Sequence, residues 1–220
     1  MILDDPGTIA RWRAAGWWGT TTIDDLFRAC VDARRDEPAL ADAPSRPAFA
    51  GGESLVLSFG ETDALVERLA AALFATGVRK DDVVLVQLPN IVEIVLAFLA
   101  CARLGAIVSP VMLAYGERDL RRIVRHVRPA ACLTLARWRD GRPAEVAARL
   151  AVADDSRRPF AVLALGDEHG AAPGAVAFGH VANLPGDVAA LRAYLDSITI
   201  DANEIVTMHG TSGTTGDPKC

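Results

Sequence analysis

Hydrophobic residues follow two alternating spacings along the chain, and these spacings predict alternating strands and helices. Runs of apolar residues with little polar interruption, typical of strands covered on both faces, occur at residues 83–88, 106–109, 130–135 and 160–165, with a shorter candidate at 55–57. Stretches with apolar residues at helical spacing lie at residues 58–77, 91–104, 117–127, 143–152 and 187–195. The alternation predicts βαβ units, and therefore an α/β fold with a parallel sheet and helices on both faces.

Local signals mark the ends of two of these helices. Ser58 and Glu61 form a capping-box sequence at the start of the first helix, and Gly77 is suited to end it. Gly105 closes the apolar helix that begins at residue 91. Two further segments complete the prediction: a long loop within residues 166–186, which are rich in glycine, alanine and proline, and a final strand at 204–209.

The first fifty residues are patterned more loosely. Trp12, Trp17 and Trp18 lie within seven residues, and large aromatic side chains need a surface to bury against, so we expect a segment docked on the domain surface. A short helix is predicted at residues 22–33, and the prolines at positions 38, 44 and 47 indicate loops. The chain thus divides into an N-terminal arm at 1–50, an α/β subdomain at 51–200, and a strand and loop at 201–220 that begin a further subdomain.

Composition and charge exclude several classes of function. Half of the residues are hydrophobic (51%) and 23% are charged, so the chain is expected to fold. The net charge is −5 without an arginine-rich tract, which argues against a nucleic-acid partner. Arginines recur on one face of the helix at 117–127, where a phosphate-binding surface is possible but a solvated helix face is favoured. These arginines are Arg118, Arg121, Arg122, Arg125 and Arg128.

Cysteine and histidine spacing gives no metal site. The four cysteines stand apart without a C-x-x-C pair, which suggests neither zinc nor disulfides and fits a reducing, cytoplasmic compartment. Asp167, Glu168 and His169 are consecutive, so they would point in different directions and are expected to form a solvated turn. The longest apolar run, residues 94–102, is too short to span a bilayer, and acidic residues occupy the place where a signal peptide needs lysine or arginine.

The candidate chemistry lies at residues 209–219, HGTSGTTGDPK. Three glycines recur at every third position, hydroxyl residues fill the gaps, and Lys219 follows. Glycine allows backbone N–H groups to approach an anion closely, and hydroxyl groups and a lysine add donors and positive charge. The spacing fits neither a Walker A loop nor a dinucleotide-binding fingerprint. A loop that binds the phosphates of a nucleotide is therefore predicted, and the alternative is a flexible Gly/Thr linker.

The segment TSGTTGDPK at residues 211–219 resembles the signature phosphate loop of the AMP-forming adenylating enzymes. That superfamily includes acyl-CoA synthetases, the adenylation domains of peptide synthetases, and luciferases. The chain departs from the pattern at Cys220, where the family has glycine. Residues 77–84, the QLPN at 87–90 and the stretch 97–110 resemble the same family, whereas residues 136–200 match only in general character.

The resemblance implies two-step activation of a carboxylic acid by ATP with Mg²⁺, followed by transfer of the acyl group to a thiol, commonly coenzyme A. It implies that the phosphate-binding residues are Thr211, Ser212, Gly213, Thr214, Thr215, Gly216 and Lys219. It places the catalytic residues, the magnesium ligand and the acyl pocket beyond Cys220, so no catalytic or metal-binding residue is assigned within the chain. We therefore expect an incomplete N-terminal domain that is inactive by itself.

Two alternatives remain open at this point. One is a non-catalytic interaction module that reuses the fold and never binds ATP. The other is an unrelated nucleotide-binding α/β protein in which the Thr/Gly loop is a coincidence. Tight binding of Mg-ATP by the isolated chain is the property expected of that second alternative.

Overall fold

A computed structural model describes residues 1–152, 159–166 and 173–210. The N-terminal elements are helix α1 (Pro6–Ala14), helix α2 (Ile23–Arg34), strand β1 (Pro38–Ala41), short helix α3 (Arg46–Phe49) and strand β2 (Val56–Ser58). The central elements are α4 (Phe59–Ala75), β3 (Val83–Gln87), α5 (Val92–Leu104), β4 (Ile107–Pro110), α6 (Glu117–Val127) and β5 (Ala131–Leu135). The last described elements are α7 (Pro143–Val152), β6 (Ala161–Leu165), β7 (Ala175–Phe178), a 3-10 helix (Val181–Asn183) and α8 (Val188–Asp196).

Five strands form one parallel sheet in the order β4-β3-β5-β6-β7, and β1 and β2 form a separate antiparallel pair. In the centre of the sheet, Val84 lies opposite Val108 on one side and Ala131 on the other. Helices α5, α6 and α7 follow β3, β4 and β5 and supply the crossovers that parallel pairing requires. The predicted α/β fold with a parallel sheet is confirmed.

Alternate residues of the strands face two hydrophobic cores. Val84 and Val86 of β3 pack with α4 and α5 on one face, whereas Val83 and Leu85 pack with α6 and α7 on the other. Because both faces are covered, all five residues of β3 are buried and its sequence shows no polar alternation. The predicted helices on both faces of the sheet are confirmed.

The predicted helix ends are also present. The Ser58 hydroxyl accepts a hydrogen bond from the Glu61 N–H at 3.2 Å, and the Glu61 carboxylate accepts from the Ser58 N–H at 2.8 Å. These hydrogen bonds lower the pKa of Glu61. Gly105 ends α5 at φ 70°, a left-handed conformation that glycine adopts without strain.

Two predicted loops contain regular structure instead. The segment 166–186 includes β7 and the 3-10 helix, and β7 gave no clear signal because only Phe178 of its four residues is fully buried. The proline-marked region after α2 contains β1 and α3. Pro38 is the first residue of its strand and Pro47 lies in the first turn of its helix, and these are positions where a missing N–H costs little.

The predicted final strand at 204–209 is reduced to a single bridge. The Val108 N–H donates to the Val206 carbonyl at 2.9 Å, and the Met208 N–H donates to the Val108 carbonyl at 2.8 Å. Residues 206–208 therefore run parallel to β4 along its outer edge, but the pairing is too short to form a strand within the described residues.

The first part of the N-terminal arm, residues 1–14, makes polar contacts with the body of the protein, whereas the later part packs apolar side chains such as Phe27 and Leu40 against the core. Helix α1 has no buried residue, and Trp17 stacks on Trp12 while remaining 74% exposed. Arg13 pairs with Asp201 at 3.0 Å, and the Ile205 N–H donates to the Met1 carbonyl at 2.9 Å. Trp17 therefore packs against Trp12 and remains open to solvent, whereas Trp12 and Trp18 are half-buried.

Candidate active site

The strand order creates a crevice at the carboxyl edge of the sheet. The chain passes from β3 to its neighbour β4 and then crosses to β5 on the opposite side of β3. The connections therefore leave the carboxyl ends of β3 and β5 in opposite directions, and open α/β sheets bind ligands at such a point. The order β4-β3-β5-β6-β7 is that of a doubly wound sheet.

A cleft of about 570 Å³ lies at this position. Its walls come from the loop after β3, the loop after β4 and the turn after β5, and its lining is mostly apolar. Residues that line it include Leu88, Pro89, Asn90, Ile94, Met112, Tyr115 and Trp138. His209 and Gly210 also line it, so the segment that runs beside β4 ends at the cleft.

Gln87, the last residue of β3, holds in place the loop after β4, which forms one wall of the cleft. Its side chain amide is buried (1% exposed) and donates to the Met112 carbonyl at 3.2 Å and the Tyr115 carbonyl at 3.4 Å. Its carbonyl oxygen accepts from the Thr134 hydroxyl on β5 at 3.3 Å. Gln87 thus joins the loop after β4 to the centre of the sheet. The sequence indicated this residue only as part of a resemblance and gave no sign of its partners.

A buried ionic cluster holds the opposite wall. Ile91 offers no side-chain cap to α5, and Asp42 substitutes for it by accepting a hydrogen bond from the Val92 N–H at 2.8 Å. Arg46 bridges Asp42 and Glu93 at 2.5 Å from each carboxylate, and all three side chains are at most 5% exposed. This cluster anchors the start of α5, which immediately follows the cleft residues Pro89 and Asn90.

The charge state of this cluster follows from its hydrogen bonds. Burial opposes the charge of Asp42, but hydrogen bonds from Arg46 and from the Leu55 and Val92 N–H groups outweigh it and lower the pKa of Asp42. The second oxygen of Glu93, Oε2, is buried and has no hydrogen-bond partner among the described residues. Sequence reasoning missed the cluster because Asp42, Arg46 and Glu93 are separated by up to fifty-one positions.

The seven predicted phosphate-binding residues, Thr211, Ser212, Gly213, Thr214, Thr215, Gly216 and Lys219, lie outside the described residues. Their nearest described neighbours are His209 and Gly210 in the cleft. The His209 Nε2 lies 3.1 Å from the Thr207 hydroxyl oxygen, one residue beyond the contacts with β4. Asp167, Glu168 and His169 also lie outside the described residues.

Other candidate chemistry is weak in the part of the chain that the structure describes. Burial raises the pKa of Cys101 and of Cys132 to about 12, so neither thiol is a nucleophile at neutral pH. No group of three acidic, histidine or cysteine side chains in the described ranges is arranged to hold a metal ion. The helix α6 arginines are exposed except for the half-buried Arg121, as expected of a solvated face. Among the described helices, none is long and apolar enough to cross a membrane.

The doubly wound sheet, the cleft at its switch point and the adjoining Thr/Gly segment define a nucleotide-binding class of α/β protein. Comparison with known families narrows the class, because the model of the AMP-binding enzyme family matches residues 31–220. The chain belongs to the AMP-binding enzyme family. The hypothesis of an unrelated nucleotide-binding protein is therefore wrong.

Individual relatives agree with the family. The chain is 40% identical over 109 residues, half of its length, to a salicyl-AMP ligase / salicyl-S-ArCP synthetase of Mycobacterium tuberculosis. It is 34% identical over 197 residues, 89% of its length, to 4-coumarate–CoA ligase 5 of Oryza sativa subsp. japonica. In structure it is similar to apo MbtA of Mycobacterium smegmatis, with a TM-score of 0.74 and 25% identity over 99% of the chain.

The matches cover only part of each relative. The chain spans 18% of the Mycobacterium tuberculosis ligase, 31% of the Oryza sativa ligase and 36% of the MbtA chain. Because the 18% match involves only half of this chain, each of the three relatives is somewhat less than three times as long as the chain.

Proposed function

We propose that this chain forms the N-terminal part of an ATP-dependent ligase that activates a carboxylic acid as an acyl-adenylate and then transfers the acyl group to a thiol. One observation carries the proposal: the segment beside β4 delivers His209 and Gly210 into the cleft at the switch point of the sheet, directly before the Thr/Gly loop. A phosphate loop that follows an edge segment at this position lies where open α/β sheets bind nucleotides.

In this proposal the loop holds the β- and γ-phosphates of ATP while the carboxylate attacks the α-phosphorus. The hydroxyl groups of Ser212, Thr214 and Thr215 and the N–H groups of Gly213 and Gly216 donate to phosphate oxygens, and Lys219 supplies positive charge. Mg²⁺ would neutralise charge on the departing pyrophosphate. The described residues offer no cluster to hold it, so its ligands would be the phosphates and residues elsewhere. Coenzyme A or a carrier-protein thiol accepts the acyl group.

The share of each relative that the chain spans supports a further proposal, that the chain is inactive alone. In this proposal, the acyl pocket and the groups that act on the reacting atoms belong to the two thirds of the relatives' length that this chain does not match. The division into an arm at 1–50, a subdomain at 51–200 and the beginning of another at 201–220 belongs to the same proposal, as does a cytoplasmic location.

Carboxylate-dependent exchange between ATP and radioactive pyrophosphate tests both parts. We expect no exchange by the 220-residue chain with a panel of aromatic and short aliphatic acids. We expect exchange when the chain replaces the matching N-terminal region of the Oryza sativa ligase, and loss of that exchange in the same chimera carrying Gly213→Val. A chimera that unfolds cooperatively like its parent but neither binds ATP nor exchanges pyrophosphate would support a non-catalytic interaction module instead. Exchange at ordinary enzyme rates by the chain alone would contradict its inactivity.

A further inference from the structure

A second cavity lies at the amino edge of the sheet, far from the cleft described above. It has a volume of about 400 Å³ and lies between the N-terminal arm and the segment that precedes residues 206–208. We call it the aromatic–acidic pocket, and its principal lining residues are Asp4, Trp17, Trp18, Asn203 and Glu204. Its position beside Lys80 and Asp81, which precede β3, separates it from the carboxyl edge by the length of the strands.

One wall of the aromatic–acidic pocket is a stack of three planar side chains whose last ring has one face exposed. The Arg11 guanidinium lies 4.5 Å from the centre of the Trp12 ring, and Trp12 stacks on Trp17 with ring centres 4.8 Å apart and planes within 8°. Trp17 lines the pocket and is 74% exposed, so its second face is open. The Arg11 guanidinium therefore covers the Trp12 end of the stack, whereas the Trp17 end is exposed to solvent.

The opposite wall is acidic. Asp4 is exposed and makes no ion pair with any described residue. Glu204 accepts a hydrogen bond from Lys80 Nζ at 2.6 Å through Oε1, and the Met1 ammonium lies 3.9 Å from the same oxygen. The other oxygen, Oε2, is buried and has no hydrogen-bond partner within the described part of the chain. Because Oε2 is closed off from solvent and Oε1 is paired with Lys80, the carboxylate that a ligand in the pocket can reach is that of Asp4.

We propose that the aromatic–acidic pocket binds a guanidinium cation, either a small guanidino compound or an arginine side chain of another polypeptide. A guanidinium is planar and weakly hydrated, so it stacks on an indole face and donates hydrogen bonds from its edge to carboxylates at the same time. Arg11 already shows this stacking at the other end of the row. A compact ammonium ion would be attracted by the same charges but would lack the planar match to Trp17.

The test is an NMR titration of the 220-residue chain with agmatine, observed at the indole N–H signals of its tryptophans. We expect the Trp17 and Trp18 signals to shift and saturate while the Trp138 signal in the cleft stays unchanged. Trp17→Leu should weaken binding about tenfold, as expected for a partly desolvated cation–π contact. Asp4→Asn should also weaken binding, whereas Asp36→Asn, which neutralises an exposed carboxylate outside the pocket, should not.

Three further ligands separate the alternatives. A blocked Gly-Arg-Gly peptide that binds more tightly than agmatine would identify an arginine side chain as the source, and the reverse would identify a small molecule. Tetramethylammonium should bind more weakly than either. Equal affinity of wild-type and Trp17→Leu protein for agmatine would overturn the proposal. So would tryptophan shifts with anionic phospholipid vesicles and none with the guanidino compounds, because these would assign the exposed tryptophans to a membrane surface.

Discussion

The backbone N–H of Val108 donates to the carbonyl oxygen of Val206 at 2.9 Å, and this contact links the edge of the sheet to the segment that enters the cleft. The Met208 N–H returns a hydrogen bond to the Val108 carbonyl at 2.8 Å. In a parallel pairing of this kind the N–H of the intervening residue, Thr207, points away from β4. The approach to the Thr/Gly loop is thus held by two backbone hydrogen bonds.

This contact predicts different effects for proline at two adjacent positions. Met208→Pro removes a donor to Val108, so the segment should detach more often and the Val108 amide should exchange with solvent about fivefold faster. Thr207→Pro removes an N–H that does not face β4 and should change that rate little. Hydrogen exchange measured by NMR on both variants checks this, and equal protection of Val108 in the two would show that the segment is held by something else.

Replacing Gln87 should loosen the wall of the cleft that follows β4. Gln87→Leu leaves the Met112 and Tyr115 carbonyls without their buried donor, and we expect a loss of about 2 kcal/mol in the free energy of unfolding. Thr134→Val removes only the 3.3 Å hydrogen bond to the Gln87 carbonyl and should cost less than half as much. Urea denaturation of the two variants measures the difference. A smaller loss for Gln87→Leu than for Thr134→Val would contradict the assigned role.

Removing the carboxylate that caps α5 should be severe. Asp42→Ala leaves the Val92 N–H uncapped and Arg46 with one fewer carboxylate partner, for an expected cost of about 3–5 kcal/mol. Asp42→Asn keeps an acceptor for Val92 and should cost less. Thermal or urea unfolding of the two variants separates the contribution of the hydrogen bond to Val92 from that of the Asp42 charge. Equal losses of stability in the two variants would mean that the charge alone matters.

The lowered pKa of Asp42 also predicts a pH dependence of stability. A carboxyl group whose pKa is lower in the folded state stabilises the fold above its unfolded pKa, about 3.9, and loses that contribution as the pH falls through its folded value. Wild-type stability should therefore decline more steeply below about pH 4 than that of Asp42→Asn. Parallel curves for the two proteins would mean that other carboxylates govern acid unfolding.

Gly186 is expected to be essential for packing the last helix against α4. A Cβ at this position would lie 2.7 Å from the backbone carbon of Ala71 and 2.8 Å from the backbone nitrogen of Ala72. Backbone atoms cannot move aside cheaply, so Gly186→Ala should destabilise the protein by about 1–3 kcal/mol. Gly179→Ala is a matched control, since no atom lies within 4 Å of its added Cβ. Similar midpoints for the two variants in urea would contradict this close contact.

Most of the fold could be predicted from the sequence because the strands of the sheet and the helices that cover it have a clear spacing of apolar residues. The helices α6 and α7 begin and end where predicted, and β3 lies within its predicted run because its residues are buried on both faces. The missed elements include β1, α3 and β7, which are each four residues long and mostly exposed or half-buried, so their formation depends on neighbours rather than on their own pattern. The nine-residue helix α1 was also missed, and none of its residues is buried. Spacing along the chain carries no information about such contacts.

The cleft was only partly predictable for the same reason. The resemblance indicated Gln87, and a strand was predicted at 204–209 before the Thr/Gly loop, but the partners of Gln87 lie on a different strand and a different loop. The cluster of Asp42, Arg46 and Glu93 is likewise assembled from separate elements. Long-range polar contacts of this kind appear only when the chain is folded.

The most direct test of the central claim is an NMR titration of the 220-residue chain with ATP in the presence of Mg²⁺. We predict weak binding, with amide signals of residues 209–219 shifting and those of the aromatic–acidic pocket unaffected. Thr214→Val should reduce the shifts, whereas Thr21→Val, which removes an exposed hydroxyl at the opposite edge of the sheet, should not. Absence of any shift at residues 209–219, or shifts that persist undiminished in Thr214→Val, would contradict the assignment of this loop to the phosphates of ATP.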